Sequence, residues 1–412
     1  FLGVPIAMSL GLSAMGGILF LGGGSTVTIA QRMFEGMNSF ALLAIPLYTF
    51  AGFTMSKGGI SKRLMDFCYS IVGHIYGGLA HVNVLSSMIF AGISGSAVAD
   101  TAGVSGMFMP EMVRKGYSKN FTVAVTAISS TIGIIIPPSI PMVVIAGICG
   151  ISTGKLFLGG IIPGILCGLA QMIVSYFLAK KEGVPKEPGH FTIGPVLHGL
   201  WESWPALLMP IIIVGTITMG IVSPTEAGVI AVVYGLFAGG IIYRELKWED
   251  IKFAFAETVR TSGRIFIVIG AAKLYTVMLT TAGFDKWVAK TMLGFSTNPT
   301  VILIMILLIF FIVTMFMESI ATLTLFMPIL YPIALGVGID PIVLSVLITV
   351  VIGVGLVTPP VGMCIYVACD LMDVTVGEVF PTLVPFIAAT FVCIALMVAF
   401  PQLILLPTYL MA

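Results

Sequence analysis

The chain has 412 residues, of which 58% are hydrophobic and only 9% are charged, and its formal net charge is +1. A soluble protein of this length needs far more polar surface to cover its core, so the composition excludes that class and predicts a protein embedded in lipid. The near-zero net charge gives no electrostatic argument for a nucleic-acid partner.

Nine apolar stretches are long enough to cross a membrane, since a crossing takes about 20 apolar residues. The first begins at Phe1 with no charged segment before it, so we expect further residues to precede it. The fold class that follows is an all-α polytopic membrane protein. The nine stretches are 1–21, 40–56, 118–149, 156–179, 205–222, 227–243, 264–282, 341–370 and 380–407.

Two further apolar stretches, 80–113 and 298–336, are interrupted near the middle by small or polar residues. The interruptions read AGISGSAVADT at 91–101 and TMFMESIATLT at 314–324. Each arm is shorter than a crossing, so we predict two re-entrant helical hairpins that each enter and leave the membrane on one side.

Segments 60–77 and 284–297 mix charged and aromatic residues, which predicts amphipathic helices lying along the membrane surface. The longest polar stretch, 181–204, predicts a cytoplasmic linker between two halves. Each half is expected to contain scaffold helices with an interfacial arm, followed by half of a transport domain. The scaffold parts are 1–77 and 205–297, and the transport parts are 78–180 and 298–412.

The distribution of Lys and Arg agrees with this layout. When each hairpin counts as no crossing, fourteen basic residues fall on one side, four fall on the other, and Lys273 lies within a crossing. Short cytoplasmic loops are enriched in Lys and Arg, so the rich side is the cytoplasm. The first hairpin should then open from the cytoplasm, and the second hairpin and the C-terminus should lie towards the outside. The fourteen are Lys57, Lys62, Arg63, Arg114, Lys115, Lys119, Lys180, Lys181, Lys186, Arg244, Lys247, Lys252, Arg260 and Arg264.

The two halves also resemble each other in sequence. Residues 133–165 align without a gap with residues 355–387, and both Pro-Pro pairs coincide. Five crossings separate the starts of the two matching helices, so the copies point in opposite directions. We predict an inverted-topology repeat, which is the usual architecture of secondary transporters. The competing interpretation is chance similarity between apolar segments rich in Gly and Pro.

Each Pro-Pro pair breaks a helix at membrane depth, because a proline cannot donate to the carbonyl four residues earlier. Such carbonyls need water, a hydroxyl group or a hard cation, and the hydroxyls of Ser139 and Thr358 lie beside the breaks. A kink satisfied by its neighbours explains one pair well, whereas two symmetric pairs favour a cation site in each half. The carbonyls expected to be free are those of Gly133, Ile134, Gly355 and Leu356.

The two hairpin tips are expected to face the breaks. At the first tip, Ser94, Gly95 and Ser96 allow a tight turn, and Ser96 can cap the returning helix, whose N-terminus suits a carboxylate. We expect one cation between tip and break in each half, and an anionic substrate between the tips. The polar residues of the second tip are Glu318, Ser319 and Thr322.

Asp100 and Glu318 are the most deeply placed acidic residues. An unpaired acid at the centre of a membrane helix costs roughly 2.5–3.5 kcal/mol, so each either serves a function or caps the backbone of a tip. Lys273 either snorkels to the interface, pairs structurally, for example with a partner subunit, or contacts substrate. The six cysteines show no paired spacing, so we expect neither a zinc site nor a cofactor.

These motifs resemble those of the large membrane subunit, called M, of the tripartite ATP-independent periplasmic (TRAP) transporters of bacteria and archaea. The resemblance covers nearly the whole chain and implies sodium-driven import of a carboxylate-bearing solute, such as a C4-dicarboxylate or sialic acid. It also implies a fold similar to that of the divalent anion/sodium symporters, in which hairpins and broken helices move together as an elevator. The matching motifs are LGVPIA, FAGISGSAVADT, GIIIPPS, VSPTEAG, MES and GLVTPPVG.

The resemblance further implies partners and site residues. The partners are a small four-helix membrane subunit, called Q, and a periplasmic binding protein that delivers the solute at the inner membrane. Na⁺ is the coupling ion, and no cofactor is implied. One sodium site is assigned to Ser94, Gly95, Ser96, Gly133 and Pro137, and the other to Met317, Glu318, Ser319, Gly355 and Thr358. The substrate is assigned to the space near Ser96, Asp100, Pro138, Ser139, Ser319, Thr322 and Pro360.

Three alternatives remain. A free-standing sodium/organic-anion symporter or antiporter would need no binding protein. An intramembrane enzyme would need a Ser/His, Asp/Asp or HExxH constellation at membrane depth, which the sequence lacks, so we expect no enzyme. A purely structural subunit would gain nothing from paired helix breaks.

Overall fold

The computed structural model describes residues 4–20, 26–184 and 191–411, and its regular elements there are helices. This confirms the prediction of an all-helical polytopic membrane protein. Lys186, which the sequence assigns to the cytoplasmic side, lies outside the described residues. The first ten helices are α1 (Ile6–Phe20), α2 (Thr26–Met37), α3 (Ala44–Lys57), α4 (Ile60–Val72), α5 (Gly78–Ser94), α6 (Ala97–Arg114), α7 (Lys119–Ser130), α8 (Ile140–Cys149), α9 (Thr153–Glu182) and α10 (Ile193–Thr218).

The remaining helices again include long helices, a pair joined by a short turn, and a helix divided at a Pro-Pro pair. Short 3₁₀ or π turns extend several of them, including Phe40–Leu43 before α3 and Thr131–Ile134 after α7. The helices are α11 (Pro224–Phe237), α12 (Trp248–Thr281), α13 (Phe284–Phe295), α14 (Pro299–Thr314), α15 (Ser319–Gly336), α16 (Pro341–Gly355), α17 (Met363–Met372), α18 (Val376–Ala399) and α19 (Gln402–Leu405).

Within the described part of the chain, seven helices are long and apolar enough to cross a membrane. Six of them contain or overlap predicted crossings, and the seventh is α15. The predicted crossings 118–149 and 341–370 are each divided by the Pro-Pro break into shorter helices, because the break interrupts backbone hydrogen bonding. The seven are Phe40–Lys57, Thr153–Glu182, Ile193–Thr218, Pro224–Ile242, Trp248–Thr281, Ser319–Gly336 and Val376–Ala399.

Helix α15 is longer than the half-length arm expected from the sequence. Its 18 residues extend about 27 Å at 1.5 Å per residue, which is close to the thickness of the hydrocarbon layer. However, 67% of its residues are buried inside the protein, which leaves few of them to contact lipid. Length alone therefore does not decide whether α15 is an arm of a re-entrant hairpin.

Two helices begin earlier than the sequence predicts. Helix α10 begins at Ile193, inside the predicted linker 181–204, and α12 begins at Trp248, well before the predicted crossing at 264–282. Hydropathy marks only the apolar part of a helix, whereas the N-terminal parts of these two helices are mostly exposed and contact other helices at a few buried positions. In α10, for example, Gly199 lies against the backbone of Phe67 in α4. Helix α2, which the sequence did not indicate, packs on α12.

The two helices on either side of each polar turn, at residues 94–96 and 315–318, pack against each other as a pair. Helices α5 and α6 contact each other and α7, while α14 and α15 contact each other and α16. Helix α3 packs against α11 and α12, and this group meets the paired helices where α3 touches α5 and α12 touches α15. The two turns between the paired helices therefore lie close to the surfaces of α3 and α12.

Candidate binding site at the two helix tips

The first tip, residues Ser94–Ser96, is a sharp turn between α5 and α6. Gly95 has a φ of +67°, in the left-handed region that favours glycine, and a Cβ atom there would lie 2.7 Å from the carbonyl oxygen of Pro138. Ser96 is the N-cap of α6, and its Oγ accepts a hydrogen bond from the Ala99 amide at 3.4 Å. The predicted capping role of Ser96 is confirmed.

The first tip contacts the first break, residues 135–139. The amide of Ile140, which begins α8, donates to the carbonyl of Gly95 at 3.2 Å. Together with the close approach of Gly95 to Pro138, this bond joins the tip to the Pro-Pro segment of the same half. Sequence reasoning expected the tip and the break to face each other, and here they touch.

Asp100 lies behind the first tip and is fully buried. Ser94 Oγ donates to its Oδ1, while Oδ2 has no hydrogen-bond partner among the residues that the structure describes. Oδ2 is directed at Gly133, where a Cβ atom would collide with it, so only glycine fits at that position. A buried carboxylate oxygen without a donor is costly, and a cation or proton would offset that cost.

Three of the four carbonyls that the sequence predicted to be free have donors. Ser139 Oγ donates to the carbonyl of Ile134, and the amides of Thr358 and Cys364 donate to those of Gly355 (3.1 Å) and Leu356 (2.9 Å). That prediction was wrong for these three, because a hydroxyl or amide within or just after each break supplies a donor. A carbonyl oxygen has two lone pairs, so one such bond does not prevent cation binding.

The second tip, residues Met315–Glu318, joins α14 to α15. Glu318 is the N-cap of α15, and its carboxylate accepts hydrogen bonds from the amides of Ile320 at 2.9 Å and Ala321 at 3.1 Å and from Ser319 Oγ at 2.9 Å. Thr322 Oγ1 donates to the Glu318 carbonyl at 3.0 Å. The carboxylate of Glu318 therefore caps its own helix, which is one of the two roles that the sequence left open.

The second tip also contacts the break of its own half, residues 356–362. The amide of Val361 donates to the carbonyl of Met315 at 2.9 Å, which parallels the bond from Ile140 to Gly95. Thr358 Oγ1 donates to the Val354 carbonyl at 2.7 Å. Both Pro-Pro peptide bonds, at 137–138 and 359–360, are cis. Each tip therefore bonds to the break nearest it, although the donors Ile140 and Val361 differ by one position in the alignment of 133–165 with 355–387.

The segments that precede the two breaks pack on each other. Gly353 in α16 packs directly on Thr131, which precedes the first break, and α17 packs on α6 and α7. Thr101 of α6 and Ser130 of α7 share a hydrogen bond of 2.5 Å beside this contact. The two halves thus form one packed unit at the level of the breaks.

Both tips line a single cavity of about 570 Å³, a size typical of sites for small organic ligands. The predicted site residues that line it are Ser94, Gly95, Ser96, Glu318 and Ser319. The other predicted residues do not line it: Asp100, Gly133, Pro137, Pro138, Ser139, Met317, Thr322, Gly355, Thr358 and Pro360. Ser139 is fully buried and caps α8 by accepting from the Met142 amide at 3.3 Å.

The opposite lining comes from α3 and α12, which sequence reasoning did not assign to a site. It includes the basic residues Lys57 and Arg264. Their positions at the ends of apolar stretches were visible, but they were counted only as cytoplasmic charges. Lys273 is exposed on α12, next to Gly36 of α2, and does not line this cavity. In the described ranges no cluster of three His, Cys, Asp or Glu residues is arranged to hold a metal ion.

A family model and several related proteins match nearly the whole chain, and all of them describe the same kind of transporter subunit. The family model described as "Tripartite ATP-independent periplasmic transporter, DctM component" matches residues 1–403. The sialic acid TRAP transporter large permease protein SiaM of Vibrio cholerae is 35% identical over 406 residues, which cover 98% of this chain and 95% of that protein. The C4-dicarboxylate TRAP transporter large permease protein DctM of Pseudomonas aeruginosa is 35% identical over 403 residues, covering 98% and 94%.

Two further similarities extend this result. The isethionate TRAP transporter permease protein DctMQ of Oleidesulfovibrio alaskensis is 37% identical over 386 residues; the match covers 94% of this chain and 61% of that longer protein. The crystal structure of the YdaH transporter from Alcanivorax borkumensis superimposes with a TM-score of 0.61 at 13% identity, covering 90% of this chain and 86% of that one. That similarity concerns the fold alone.

Proposed function

Because the chain belongs to the DctM family of tripartite ATP-independent periplasmic transporters, we propose that it is the permease subunit through which a sodium gradient drives import of an organic acid. It is a membrane permease and not an enzyme. The observation that carries the proposal is that two polar tips, each bonded to a broken helix, line one cavity. An anion in that cavity would meet the N-terminus of α6, whose amides and dipole favour negative charge, whereas the first amides of α15 are already bonded to Glu318.

The proposed solute is a small carboxylate of the C4-dicarboxylate or sialic acid type. Relatives named for sialic acid and for C4-dicarboxylates are equally similar to this chain, at 35% identity, so similarity does not choose between them. A relative named for isethionate extends the range to a sulfonate. What these solutes share is a small organic anion, which fits the volume and polarity of the cavity.

The proposed architecture is an inverted repeat in which α5–α6 and α14–α15 are re-entrant hairpins opening from the cytoplasm and from the periplasm. The repeat is supported by a tip-to-break bond in each half, from Ile140 to Gly95 and from Val361 to Met315. The distribution of Lys and Arg supports the opposite orientation of the copies and a periplasmic C-terminus. Irregular backbone at membrane depth is tolerated where it lines a cavity, and both tips line one.

Two sodium sites are proposed, one at each contact between a tip and a break. Sodium prefers oxygen ligands, as other hard cations do. The first site would draw on Ser94, Gly95, Ser96, Gly133 and Pro137, and the second on Met317, Glu318, Ser319, Gly355 and Thr358. The unpartnered oxygen of Asp100 supports the first site, because a nearby cation would offset its charge.

The proposed transport step is an elevator movement of the tips and broken helices against α3, α10, α11 and α12. The lining of the cavity supports this division, since the tips form one side and α3 and α12 the other. Lys57 and Arg264 belong to the side rich in Lys and Arg, which supports the proposal that the cavity is open to the cytoplasm in this state.

The proposed partners are a small four-helix Q subunit beside the scaffold helices and a periplasmic binding protein that delivers the solute at the inner membrane. The DctMQ relative is longer than this chain, which covers 61% of it, and its name joins the M and Q components. We propose that a separate or fused Q component completes the assembly of this chain as well.

The proposal is tested by reconstituting the chain with its Q subunit in liposomes and imposing an inward sodium gradient. Uptake of labelled N-acetylneuraminate, succinate and isethionate is followed with and without the binding protein. We expect one solute to accumulate only when both external sodium and the binding protein are present. Uptake that needs sodium but no binding protein would support a free-standing symporter instead, and uptake independent of sodium would refute the proposal.

A further inference from the structure

One side of the cavity is formed by a single face of α3 and a single face of α12, which we call the α3–α12 wall. The lining residues recur at intervals of three or four along each helix, as expected for one helical face. From α3 they are Thr49, Gly52, Phe53, Ser56 and Lys57. From α12 they are Phe253, Glu257, Thr261, Arg264 and Ile265.

Each face of this wall carries one cation that has no acidic partner. Lys57 Nζ lies 4.9 Å from the ring centroid of Phe253, a contact that leaves its charge uncompensated. Neither Lys57 nor Arg264 forms an ion pair with any residue in the described ranges. Both residues are exposed rather than buried in the wall.

The two acidic groups of the same cavity are already engaged. Glu257 Oε1 pairs with Arg260 Nη1 at 2.6 Å, and Arg260 does not line the cavity. The carboxylate of Glu318 accepts two backbone amides of α15 and the hydroxyl of Ser319. Lys57 and Arg264 therefore give the α3–α12 wall an excess of positive charge in the cavity that both tips line.

We propose that Lys57 and Arg264 form an anion-receiving position that holds an anionic group of the solute in the cytoplasm-facing state. This inference rests on the proposed function, since it assumes that the solute enters between the tips. A planar guanidinium suits a carboxylate or sulfonate, and the ammonium adds a second charge-assisted donor. The position lies on α3 and α12 rather than on the tips that carry the solute.

That location has a consequence for the transport cycle. If the tips move relative to α3 and α12, the solute contacts these two cations only while the tips lie beside the α3–α12 wall. A contact made in one state stabilises that state alone, so it raises affinity on the cytoplasmic side and leaves capture from the binding protein unchanged. The two residues would therefore set how tightly the solute is held before release.

The test compares Lys57→Gln, Arg264→Gln and the double variant with wild type, each purified with its Q subunit. The probe is whichever of N-acetylneuraminate, succinate or isethionate wild type takes up. Since exposed ion pairs are weak, each single change should raise the Kd of the detergent-purified complex about threefold and the double change about tenfold. The KM for uptake from the binding protein should change less than twofold.

Two further variants separate a charge effect from a structural one. Arg264→Lys keeps the cation and should retain most of the affinity. Lys252→Gln removes a cation from the same helix, where Lys252 lies over the Trp248 ring and outside the cavity, and should leave the Kd unchanged. Equal loss of affinity in Lys252→Gln would show a general charge effect and overturn the inference.

The outcomes for this inference and for the proposed function are distinguishable. If wild type neither binds nor transports any of the three solutes, the proposed function fails and the inference fails with it. If wild type transports one of them and the double variant binds it as tightly, the anion-receiving position alone is wrong. A double variant whose KM for uptake rises as much as its Kd would likewise contradict a contact limited to the cytoplasm-facing state.

Discussion

Among single residues, Asp100 combines complete burial with a carboxylate oxygen that no described group satisfies. Charge in such surroundings is retained only when something nearby offsets it. Gly133 leaves the space on that side of the carboxylate, and Ser94 of the first tip donates to its other oxygen. Asp100 is therefore the side chain most directly linked to the proposed first sodium site.

We expect Asp100→Asn to keep the fold and lose the response to sodium, because the amide has the same shape and no negative charge. In wild type, sodium that binds only the folded protein should raise the unfolding temperature relative to choline buffer. In the variant, that increase should disappear and uptake should fall about tenfold or more. Thermal unfolding in the two buffers measures this.

Asp285→Asn is a suitable control, because Asp285 on α13 also has a buried carboxylate oxygen without a partner but belongs to neither tip and does not line the cavity. It should keep the sodium response. An Asp100→Asn variant that is still stabilised by sodium as strongly as wild type would contradict the role of Asp100.

Two hydroxyl groups provide a second prediction at this scale. Ser96→Ala and Thr358→Ala should each raise the sodium concentration for half-maximal uptake about threefold, with loss of about 1 kcal/mol of stability or less for the lost cap or hydrogen bond. Ser70→Ala removes a similar hydroxyl-to-carbonyl bond on α4 and should not change sodium dependence. Unchanged sodium dependence in both tip and break variants would refute these assignments.

At the scale of helices, a buried polar network joins α5 to α7. Asn83 Nδ2 donates to Thr126 Oγ1 at 2.7 Å, Ser129 Oγ donates to Asn83 Oδ1 at 3.1 Å, and Ser87 Oγ donates to Ser129 Oγ at 3.0 Å. Between membrane helices there is no hydrophobic drive to associate, so such hydrogen bonds and close packing hold them together. The network supports the helix that carries the first tip.

Asn83→Leu should lower the free energy of unfolding by about 1 kcal/mol, in line with hydrogen bonds measured between membrane helices. A double-mutant cycle with Thr126→Val isolates the bond, and the two changes should be less than additive because they remove the same contact. Additive effects in denaturant unfolding would show that the Asn83–Thr126 bond does not couple α5 to α7.

The positions of most helices followed from hydropathy and turn residues, but several boundaries did not. The N-terminal parts of α10 and α12 are helical although their first residues are mostly exposed. They contact neighbours through a few buried positions such as Gly199 and Ala254, and a search for apolar stretches does not detect them. Helix α2 is amphipathic and lies on α12, so it does not stand out in a search for apolar runs. The start of α10 and α12 and the presence of α2 are therefore visible only in the tertiary structure.

At the scale of the whole molecule, the proposed elevator movement requires contacts that break between the moving and fixed parts. One such contact joins α8 to the short helix Phe40–Leu43. A Cβ atom on Gly147 would lie 3.9 Å from the Cβ of Ala41, within the range of a disulfide. Neither residue belongs to the tips, the breaks or the α3–α12 wall.

We expect Ala41→Cys with Gly147→Cys to cross-link under mild oxidation and to stop uptake by holding the cytoplasm-facing arrangement. Reductant should restore uptake, and each single variant should transport with or without oxidant. Fractional cross-linking is read on gels beside the uptake assay. A fully cross-linked protein that transports at the rate of its reduced form would rule out movement between these two elements.

The sequence by itself determined the membrane class, the paired breaks, the two polar tips and the family, because apolar runs, Pro-Pro pairs and tip motifs are local signals. Tertiary structure alone decided which groups meet: that each tip bonds to its own break, and that Asp100 faces Gly133. It also decided that Lys57 and Arg264 line the same cavity as the tips. These contacts join residues far apart in the chain, and hydropathy and spacing carry no information on which helix faces will meet.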